Sequence, residues 1–429
     1  MDEAEPLLEE AITIFAAADQ RAEAARAQSR LGSVLFVTGR IEDAVAQLER
    51  ALAAHDVSGD EKAIATVSAQ LGRFLFFEGR SDDAMPHVER ALELSERHRL
   101  TEVIVEALIN KALVLRFRPN ESLGLMRQAL LLAEEANVPQ GALRACMNLS
   151  YLLALAGKTA EGDAVVERGI ALARRRGDRV WERALMTNLI SSYFISGRWD
   201  EVERAVAEIP EEGRLTSDPV QASTMLDLAQ MALYRGALER VVELATEYAS
   251  WGETASTQAA GVRIWARVLI AQAEGRHDDA LSDCLDALRD EAHKADPIAV
   301  EVFLQLGCES AGHAGDADAL GELLAAAAAA PIDRSPSLEA HTKLHEARLA
   351  ALRSEGAPGF EDAVVALRDV GEVFWVATAL LEQAEWLAGQ ERRDEIAPLV
   401  AEAREVFERL RAKPRLDRVE RLDVVRTPG

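Results

Sequence analysis

The 429-residue chain has only three cysteines, and Cys146, Cys284 and Cys308 form no closely spaced pair. This spacing supports neither a disulfide framework nor a structural zinc site, and it favours a reducing, cytoplasmic location. No apolar run reaches the roughly 18 residues that suggest a membrane span. Residues 1–10 are acidic and do not resemble a signal peptide. We therefore expect a cytoplasmic protein that neither enters a membrane nor is exported.

Basic residues are also scarce, since 48 Lys and Arg stand against 73 Asp and Glu, which gives a net charge of −25. Such a charge repels phosphate backbones and anionic membrane surfaces, so we expect no direct nucleic-acid binding and no membrane partner. It favours a partner with basic character, or one recognised mainly by shape. The sequence contains no GxSxG or HExxH motif and no cysteine with an identifiable histidine partner. These absences predict a protein without enzymatic activity, cofactor or bound metal.

What the chain does contain is an internal repeat. When residues 31–52 are aligned with residues 71–92, 12 of 22 positions are identical at an offset of 40. A glycine recurs at a similar spacing, at Gly39, Gly79, Gly157, Gly197, Gly236, Gly275 and Gly315. Near residue 118 the glycine is replaced by Arg118-Pro119-Asn120, which predicts a turn of different chemistry. A recurrence of about 40 residues is typical of a repeat protein.

Apolar residues fall at helical spacing before and after each glycine, as at Leu31 and Leu35, then at Ala44 and Leu48. No segment keeps the strict alternation of β-branched residues that indicates a strand. Each repeat is therefore predicted to be a helix, a tight turn and a second helix. One helix pair cannot bury its apolar face alone, so neighbouring pairs must stack. The sequence predicts an all-α fold.

A small residue occupies the eighth position of many first helices, at Gly32, Gly72, Ala112, Ser150, Ala229 and Cys308. Leucine often precedes it, at Leu31, Leu71, Leu149, Leu189 and Leu228. This pattern resembles the tetratricopeptide repeat, although the units are about five residues longer than the usual 34. The resemblance implies a right-handed superhelical α-solenoid of about ten tetratricopeptide-like helix pairs. It is strongest in the first two units.

The resemblance and the repeat spacing divide the chain into four parts. Residues 1–20 form an N-terminal half-repeat or capping helix, residues 21–297 regular repeats, residues 298–372 degenerate repeats, and residues 373–429 the last repeat with a C-terminal capping helix. The segment Glu5–Asp19 looks like a second helix without its first helix. It is consistent either with a cut end of a longer protein or with a capping helix.

Three phrases are similar to one branch of this superfamily: Arg175–Arg179, Ser196–Glu201 and Ala403–Leu410. The branch comprises the C-terminal helical regions of bacterial signal-transduction ATPases, cyclase-linked regulators and large ATP-binding transcription activators. In those proteins the repeats follow a P-loop NTPase module, and no such motif is visible in this sequence. The resemblance implies a role in bacterial signalling or transcription regulation.

The chain has only five asparagines, and Asn110, Asn148 and Asn188 share the sixth position of their first helices. Asparagine is a mediocre residue inside a helix, so local stability does not explain this recurrence. Its amide can pair with the N–H and C=O of an extended peptide. Alternatively, the three asparagines serve helix stacking.

The tetratricopeptide resemblance places that sixth position in a concave groove that binds a protein or peptide ligand. Carried over to this chain, the resemblance implies a column of residues that holds the ligand backbone: Gln70, Asn110, Asn148, Asn188 and Asp227. Arg73, Arg144 and Tyr151 are neighbouring groove positions. These eight residues are the predicted binding site.

Two other motifs invite a sharper interpretation than they support. Gly157-Lys158-Thr159 resembles the end of a phosphate-binding loop, but the earlier glycine and the preceding strand are missing, so we interpret it as a repeat turn. His341 and His345 lie four residues apart and could chelate a divalent ion, with Glu339 and Glu346 nearby. Without a third assigned ligand, a polar helix face is the preferred interpretation.

Our first hypothesis is a module that binds a protein or peptide segment in its concave groove. The alternative is a C-terminal sensory or regulatory segment of a larger signal-transduction ATPase or transcription regulator. A third interpretation, a catalytic or scaffold component of a biosynthetic complex, has no residue evidence. The reading frame upstream of Met1 would distinguish the first two, because a P-loop module encoded there favours the larger regulator.

Overall fold

The computed structural model describes residues 4–116, 118–209, 219–251, 257–332, 334–354, 356 and 358–426. Within these ranges the chain forms 22 α-helices, two short 3-10 helices and no strand. The predicted all-α fold, a solenoid of about ten tetratricopeptide-like helix pairs, is therefore confirmed. Helices α2 to α21 make up ten pairs, and α1 and α22 flank them.

The helices of the N-terminal part of the chain have these bounds: α1 Ala4–Ala17, α2 Arg21–Val37, α3 Ile41–Ser58, α4 Glu61–Phe77, α5 Ser81–His98, α6 Thr101–Val114, α7 Pro119–Glu135, α8 Pro139–Leu155 and α9 Thr159–Arg176. In this list the even-numbered helices from α2 onwards are the first helices of their pairs.

The remaining α-helices are α10 Arg179–Ile195, α11 Trp199–Ala207, α12 Pro219–Arg235, α13 Leu238–Ala249, α14 Thr257–Ala273, α15 His277–Arg289, α16 Pro297–Ala314, α17 Ala317–Ala328, α18 Pro336–Arg353, α19 Phe360–Val370, α20 Val373–Gly389, α21 Ile396–Leu410 and α22 Lys413–Arg426. The 3-10 helices are His293–Ala295 and Arg393–Glu395. Here too the even-numbered helices up to α20 open the pairs.

The chain divides into two compact units. Unit 1 comprises residues 1–152 and 167–178, and unit 2 comprises residues 153–166 and 179–429. The four-part division drawn from the sequence follows repeat regularity instead, and it stays a prediction.

The recurring glycines lie in the turns between the two helices of a pair. Their φ angles are positive, from 67° at Gly315 to 84° at Gly79, in the left-handed region that side chains with a Cβ disfavour. The α6–α7 pair, which lacks this glycine, starts its second helix with Pro119, whose fixed φ suits the first turn of a helix. These eight turns thus follow from the residues found there.

The small residue at the eighth position lets the two helices of a pair approach closely. A Cβ at Gly72 would lie 2.6 Å from Cγ2 of Val88 on the partner helix, closer than real Cβ contacts come. Ala112 and Cys308, at the same position in later pairs, are fully buried. The repeat motif therefore marks the closest contact within a pair.

In unit 2 the first two helix pairs contact the last pair. The ring of Tyr234 on α12 stacks on Phe374 of α20 at 4.3 Å between centroids, and Trp199 of α11 lies 5.5 Å from the same ring. Nε of Arg235 donates a hydrogen bond of 3.1 Å to the carbonyl of Leu410. Residues 140 to 175 positions apart in sequence are thereby joined within unit 2.

Candidate functional site

Asn110 is a buried contact between two first helices. Its side chain is 1% exposed, and Nδ2 donates a hydrogen bond of 2.8 Å to the carbonyl of Ala69 on α4. The amide oxygen is also buried and has no hydrogen-bond partner. The side-chain amide of Asn110, which we predicted to bind a ligand, therefore joins helices α4 and α6.

The other predicted column residues differ from Asn110 in their surroundings. Asn148 is half-buried, and its Nδ2 donates to the carbonyl of Arg144 in its own helix at 2.8 Å. Gln70, Tyr151 and Asn188 are also half-buried, and Oε1 of Gln70 is a buried atom without a hydrogen-bond partner. Their role in ligand binding stays a prediction.

Three of the predicted first helices bring charged side chains together in unit 1. Arg144 on α8 forms an ion pair of 3.0 Å with Glu106 on α6, and both act electrostatically on Arg73 of α4. We call Arg73, Glu106, Arg144 and Gln70 the arginine face. It carries two cations and one anion, although the chain as a whole is strongly acidic.

Arg73 has an unusual environment within the arginine face. Its guanidinium carbon lies 4.9 Å from the ring centroid of Phe36 and 5.9 Å from that of Phe77. No carboxylate in the described part of the chain forms an ion pair with it. Burial, and secondarily the charge of Arg144, lower the pKa of Arg73 to about 10. Stacking on aromatic rings thus replaces an ionic partner.

Asp227 lies in unit 2 on α12 and is 5% exposed. The hydroxyl of Ser191 donates a hydrogen bond of 2.5 Å to its Oδ2. Burial raises the pKa of Asp227 to about 7, against a smaller opposing effect of that hydrogen bond. Burial of this kind distinguishes Asp227 from the half-buried Asn188 at the preceding repeat.

Sequence analysis missed a buried ionic network in unit 2. Nη2 of Arg348 on α18 lies 2.8 Å from Glu309 and 2.7 Å from Glu382, and its Nη1 donates to the carbonyl of Cys308 at 3.0 Å. Arg415 of α22 forms a further ion pair with Glu309. These contacts join helices α16, α18, α20 and α22.

The opposite charges within this network offset the effect of burial on its ionised groups. Burial alone would raise the pKa of Glu309, but the charges of Arg415 and Arg348 outweigh it and hold that pKa well below its usual range. A cavity of about 470 Å³ lies beside these residues, with Trp386 and Arg418 also in its wall. One sequence signal was available, because Glu382 directly follows the mostly apolar residues 373–381 of α20.

His341 and His345 are not on a polar helix face, so that interpretation is wrong. Both side chains are fully buried, because α18 packs this side against neighbouring helices. Nε2 of His341 lies 2.6 Å from Oε2 of Glu372, the residue that precedes α20. Glu301 of α16 completes a cluster whose potential ligand atoms lie within 4.8 Å of one another.

The charges in this cluster influence one another. Burial lowers the pKa of His341, but Glu372 and then Glu301 outweigh it, so the pKa stands above its usual value. Burial, followed by the charge of Glu372, raises the pKa of Glu301. Burial and the nearby Arg348 hold the pKa of His345 well below its usual value.

Across the described residues, no helix combines the length and apolar character that a membrane span requires.

The tetratricopeptide repeat family matches residues 23–97. No curated protein matches the chain.

Three solved structures illustrate the similarity. Yeast Tom70 has 13% identity and a TM-score of 0.36, covering 99% of this chain and 96% of its own. An IFIT1 monomeric mutant with Gppp-AAAA has 12% identity and a TM-score of 0.42, covering 93% and 90%. The P58(IPK) TPR domain has 15% identity and a TM-score of 0.22, covering 93% and 98%.

Proposed function

We propose that this chain is a protein- or peptide-binding repeat module, and that the arginine face of unit 1 binds an anionic group of the partner. Tetratricopeptide repeats generally mediate protein–protein interactions and generally act as non-catalytic scaffolds. We extend both properties to the whole chain. The observation that carries the proposal is Arg73, a largely buried cation without an ionic partner among the described residues.

The energetics of Arg73 support a ligand contact. Burying a cation without a carboxylate costs free energy, which the stacking on Phe36 offsets only in part. A carboxylate or phosphate group of a partner would supply the missing charge and accept charge-assisted hydrogen bonds from the guanidinium. The neighbouring Arg144 cannot supply that negative charge, because it is itself a cation and is paired with Glu106. The face is therefore suited to an acidic segment.

The groove prediction enters the proposal in a modified form. Asn148 and Gln70 are half-buried and remain candidates for contact with ligand backbone. The amide nitrogen of Asn110 is bonded to Ala69, so we assign Asn110 to helix stacking instead. We propose that the ligand follows the first helices of unit 1, α2 to α8, with its acidic group at Arg73.

The test is affinity capture from the source-cell lysate with wild-type protein and an Arg73→Gln variant. Arg50→Gln is the matched control, because Arg50 is an exposed arginine of unit 1 on the second helix α3. We expect Arg73→Gln to lose a partner that wild-type protein and Arg50→Gln both retain. Glutamine removes a buried charge, so the variant should melt no lower than wild type, and unfolding would not explain the loss.

Equal capture by all three proteins would reject the arginine face as the binding site. An Asn148→Ala variant tests the backbone contact separately, since its single described bond lies within its own helix. Loss of capture in Asn148→Ala alone would favour the asparagine column over the charged face.

We also propose a cytoplasmic, bacterial setting in signalling or transcription regulation. The support is the resemblance of Arg175–Arg179, Ser196–Glu201 and Ala403–Leu410 to the repeat regions of such regulators. Sequencing the gene upstream of Met1 tests it. A P-loop module in the same reading frame would make the chain the sensory segment of a larger regulator, and its absence would favour an adaptor.

A further inference from the structure

Helices α16, α18 and α20 of unit 2 bring three potential metal ligands together. These ligands are Glu301, His341 and Glu372, and we call them the His341 cluster. One ligand atom from each residue lies within 4.8 Å of the other two. His341 is fully buried and Glu372 is 4% exposed. The three residues are far apart in sequence, so the fold alone assembles the cluster.

The cluster has fewer protons than its short polar contacts require. The hydroxyl of Ser337 lies 2.6 Å from Oε1 of Glu301 and at hydrogen-bond distance from Oε1 of Glu372. A hydroxyl has one hydrogen and can donate to only one of two carboxylates. The second contact is favourable only if a carboxyl group is protonated or if a cation lies between the two carboxylates.

The charges of the cluster also favour either a protonated carboxyl group or a bound cation. Two carboxylates face one imidazole, so at most one positive charge offsets two negative ones. Arg348, which acts electrostatically on His341, is already paired with Glu309 and Glu382. The cluster therefore carries surplus negative charge in a buried position, where it is costly.

Further nitrogen atoms near the cluster are unused. Nδ1 of His341 is buried without a hydrogen-bond partner, and so are both ring nitrogens of His345 one helical turn away. The two imidazole rings lie 6.1 Å apart, centroid to centroid. Buried imidazole nitrogens normally have a partner, so the polar groups around the cluster are poorly satisfied among the described residues.

We propose that Glu301, His341 and Glu372 bind one zinc ion. The two negative charges of the carboxylates, with a neutral imidazole, balance the charge of a divalent ion. An imidazole ligand favours zinc over magnesium or calcium, which prefer sites made of oxygen alone. Ligand atoms around tetrahedral zinc lie about 3.4 Å apart, so the 2.6 Å contact between His341 and Glu372 must open by less than about 1 Å. Ser337 or a water molecule is available for the fourth position.

The binding test uses the full-length chain after treatment with a chelator. Zinc is titrated by calorimetry, and thermal unfolding is followed by tryptophan fluorescence. The ring of Trp375 lies 5.0 Å from that of His341, so zinc binding should also change the fluorescence of the folded protein. We expect one equivalent of zinc to bind and to raise the melting temperature.

Variants locate the ion. We expect Glu372→Gln and His341→Gln to bind zinc at least 10-fold more weakly than wild type. Glu339→Gln is the matched control, because Glu339 is an exposed acid on the same helix as His341, and it should bind zinc as wild type does. Without metal, Glu301→Gln should melt no lower than wild type at pH 8, because it removes surplus negative charge.

Two results would overturn the proposal. The first is the absence of a stoichiometric zinc site in wild-type protein. The second is undiminished binding in both Glu372→Gln and His341→Gln. Should those variants fail to fold, cobalt(II) added to wild-type protein still decides: an intense visible spectrum of tetrahedral type supports the site, and a weak octahedral spectrum rejects it. Protonated carboxyl groups in place of a metal would give no zinc response at all.

Discussion

Asp227 offers a direct test of the unit 2 interior, because one atom exchange, Asp227→Asn, removes its charge. The carboxyl group is buried, and burial raises its pKa from 3.8 to about 7. A raised pKa means that the folded chain holds the proton after the unfolded chain has released it. The stability that the protonated carboxyl group of Asp227 contributes is therefore complete below pH 3.8 and is lost as the pH rises towards 7.

The size of the effect follows from the pKa difference. A shift of about 3 units at about 1.4 kcal/mol per unit makes ionised Asp227 cost about 4 kcal/mol at pH 8. Asparagine does not ionise, but its buried amide hydrogens add a cost of about 1–3 kcal/mol at every pH. We expect Asp227→Asn to stabilise the protein by about 1–3 kcal/mol at pH 8 and to destabilise it by a similar amount at pH 4.

The assay is denaturant unfolding at both pH values, followed by tryptophan fluorescence. All six tryptophans lie within residues 179–429, so the signal reports on unit 2. Asp362→Asn is the control, because Asp362 is an exposed aspartate of the same unit and its effect should not change with pH. The reasoning about burial is wrong if the free-energy difference between wild type and Asp227→Asn is the same at pH 4 and pH 8.

Two further predictions concern helical glycines, and a third concerns the ion pairs of Arg348. Gly72→Ala should destabilise unit 1 by about 1–3 kcal/mol, because its Cβ would lie 2.6 Å from Val88. Gly124 lies at an exposed helical position where a Cβ would meet nothing within 4 Å, so Gly124→Ala should stabilise unit 1 by about 0.5–1 kcal/mol. Circular dichroism measures both, and a stabilising Gly72→Ala would contradict the close helix contact. Glu309→Gln should cost about 3–5 kcal/mol at pH 7 because Arg348 loses a buried partner. Since folding lowers the pKa of Glu309, this loss should shrink as the pH falls below the usual pKa of a glutamate, because the unfolded chain takes up a proton there while folded Glu309 stays ionised. Tryptophan fluorescence at pH 7 and pH 3 checks it, and a cost below about 1 kcal/mol would show that the pair contributes little.

The helix pairs were predictable because their signals are local. The turn glycines and the small eighth residue, as at Gly79 and Gly72, act within one repeat and recur at a fixed spacing. Even the exception near residue 118 was visible, since Pro119 begins a helix there. Each of these residues fixes a turn or a contact inside a single pair, so one repeat carries enough information to predict it.

The partners of individual side chains were not predictable from the repeat. Asn110, Asn148 and Asn188 share one repeat position, yet the side-chain amide of Asn110 bonds a neighbouring helix and that of Asn148 bonds its own. Likewise, Glu372 precedes a helix 31 residues after His341, and only the packing of α18 against α20 joins them. A repeat pattern fixes the direction of a side chain, but the residue opposite depends on the next repeat.

The two units use polar residues of their first helices in opposite ways. In unit 1, Arg73 stacks on aromatic rings and forms no ion pair among the described residues, which is why we propose it as the anchor for a partner. In unit 2, Arg348 and Arg415 are neutralised by Glu309, and the helices that carry them are held together. Because an internal ion pair competes with any external one, an anionic ligand gains more at Arg73 than at either arginine of unit 2. The same repeat thus carries the proposed binding surface in unit 1 and an ion-paired interior in unit 2.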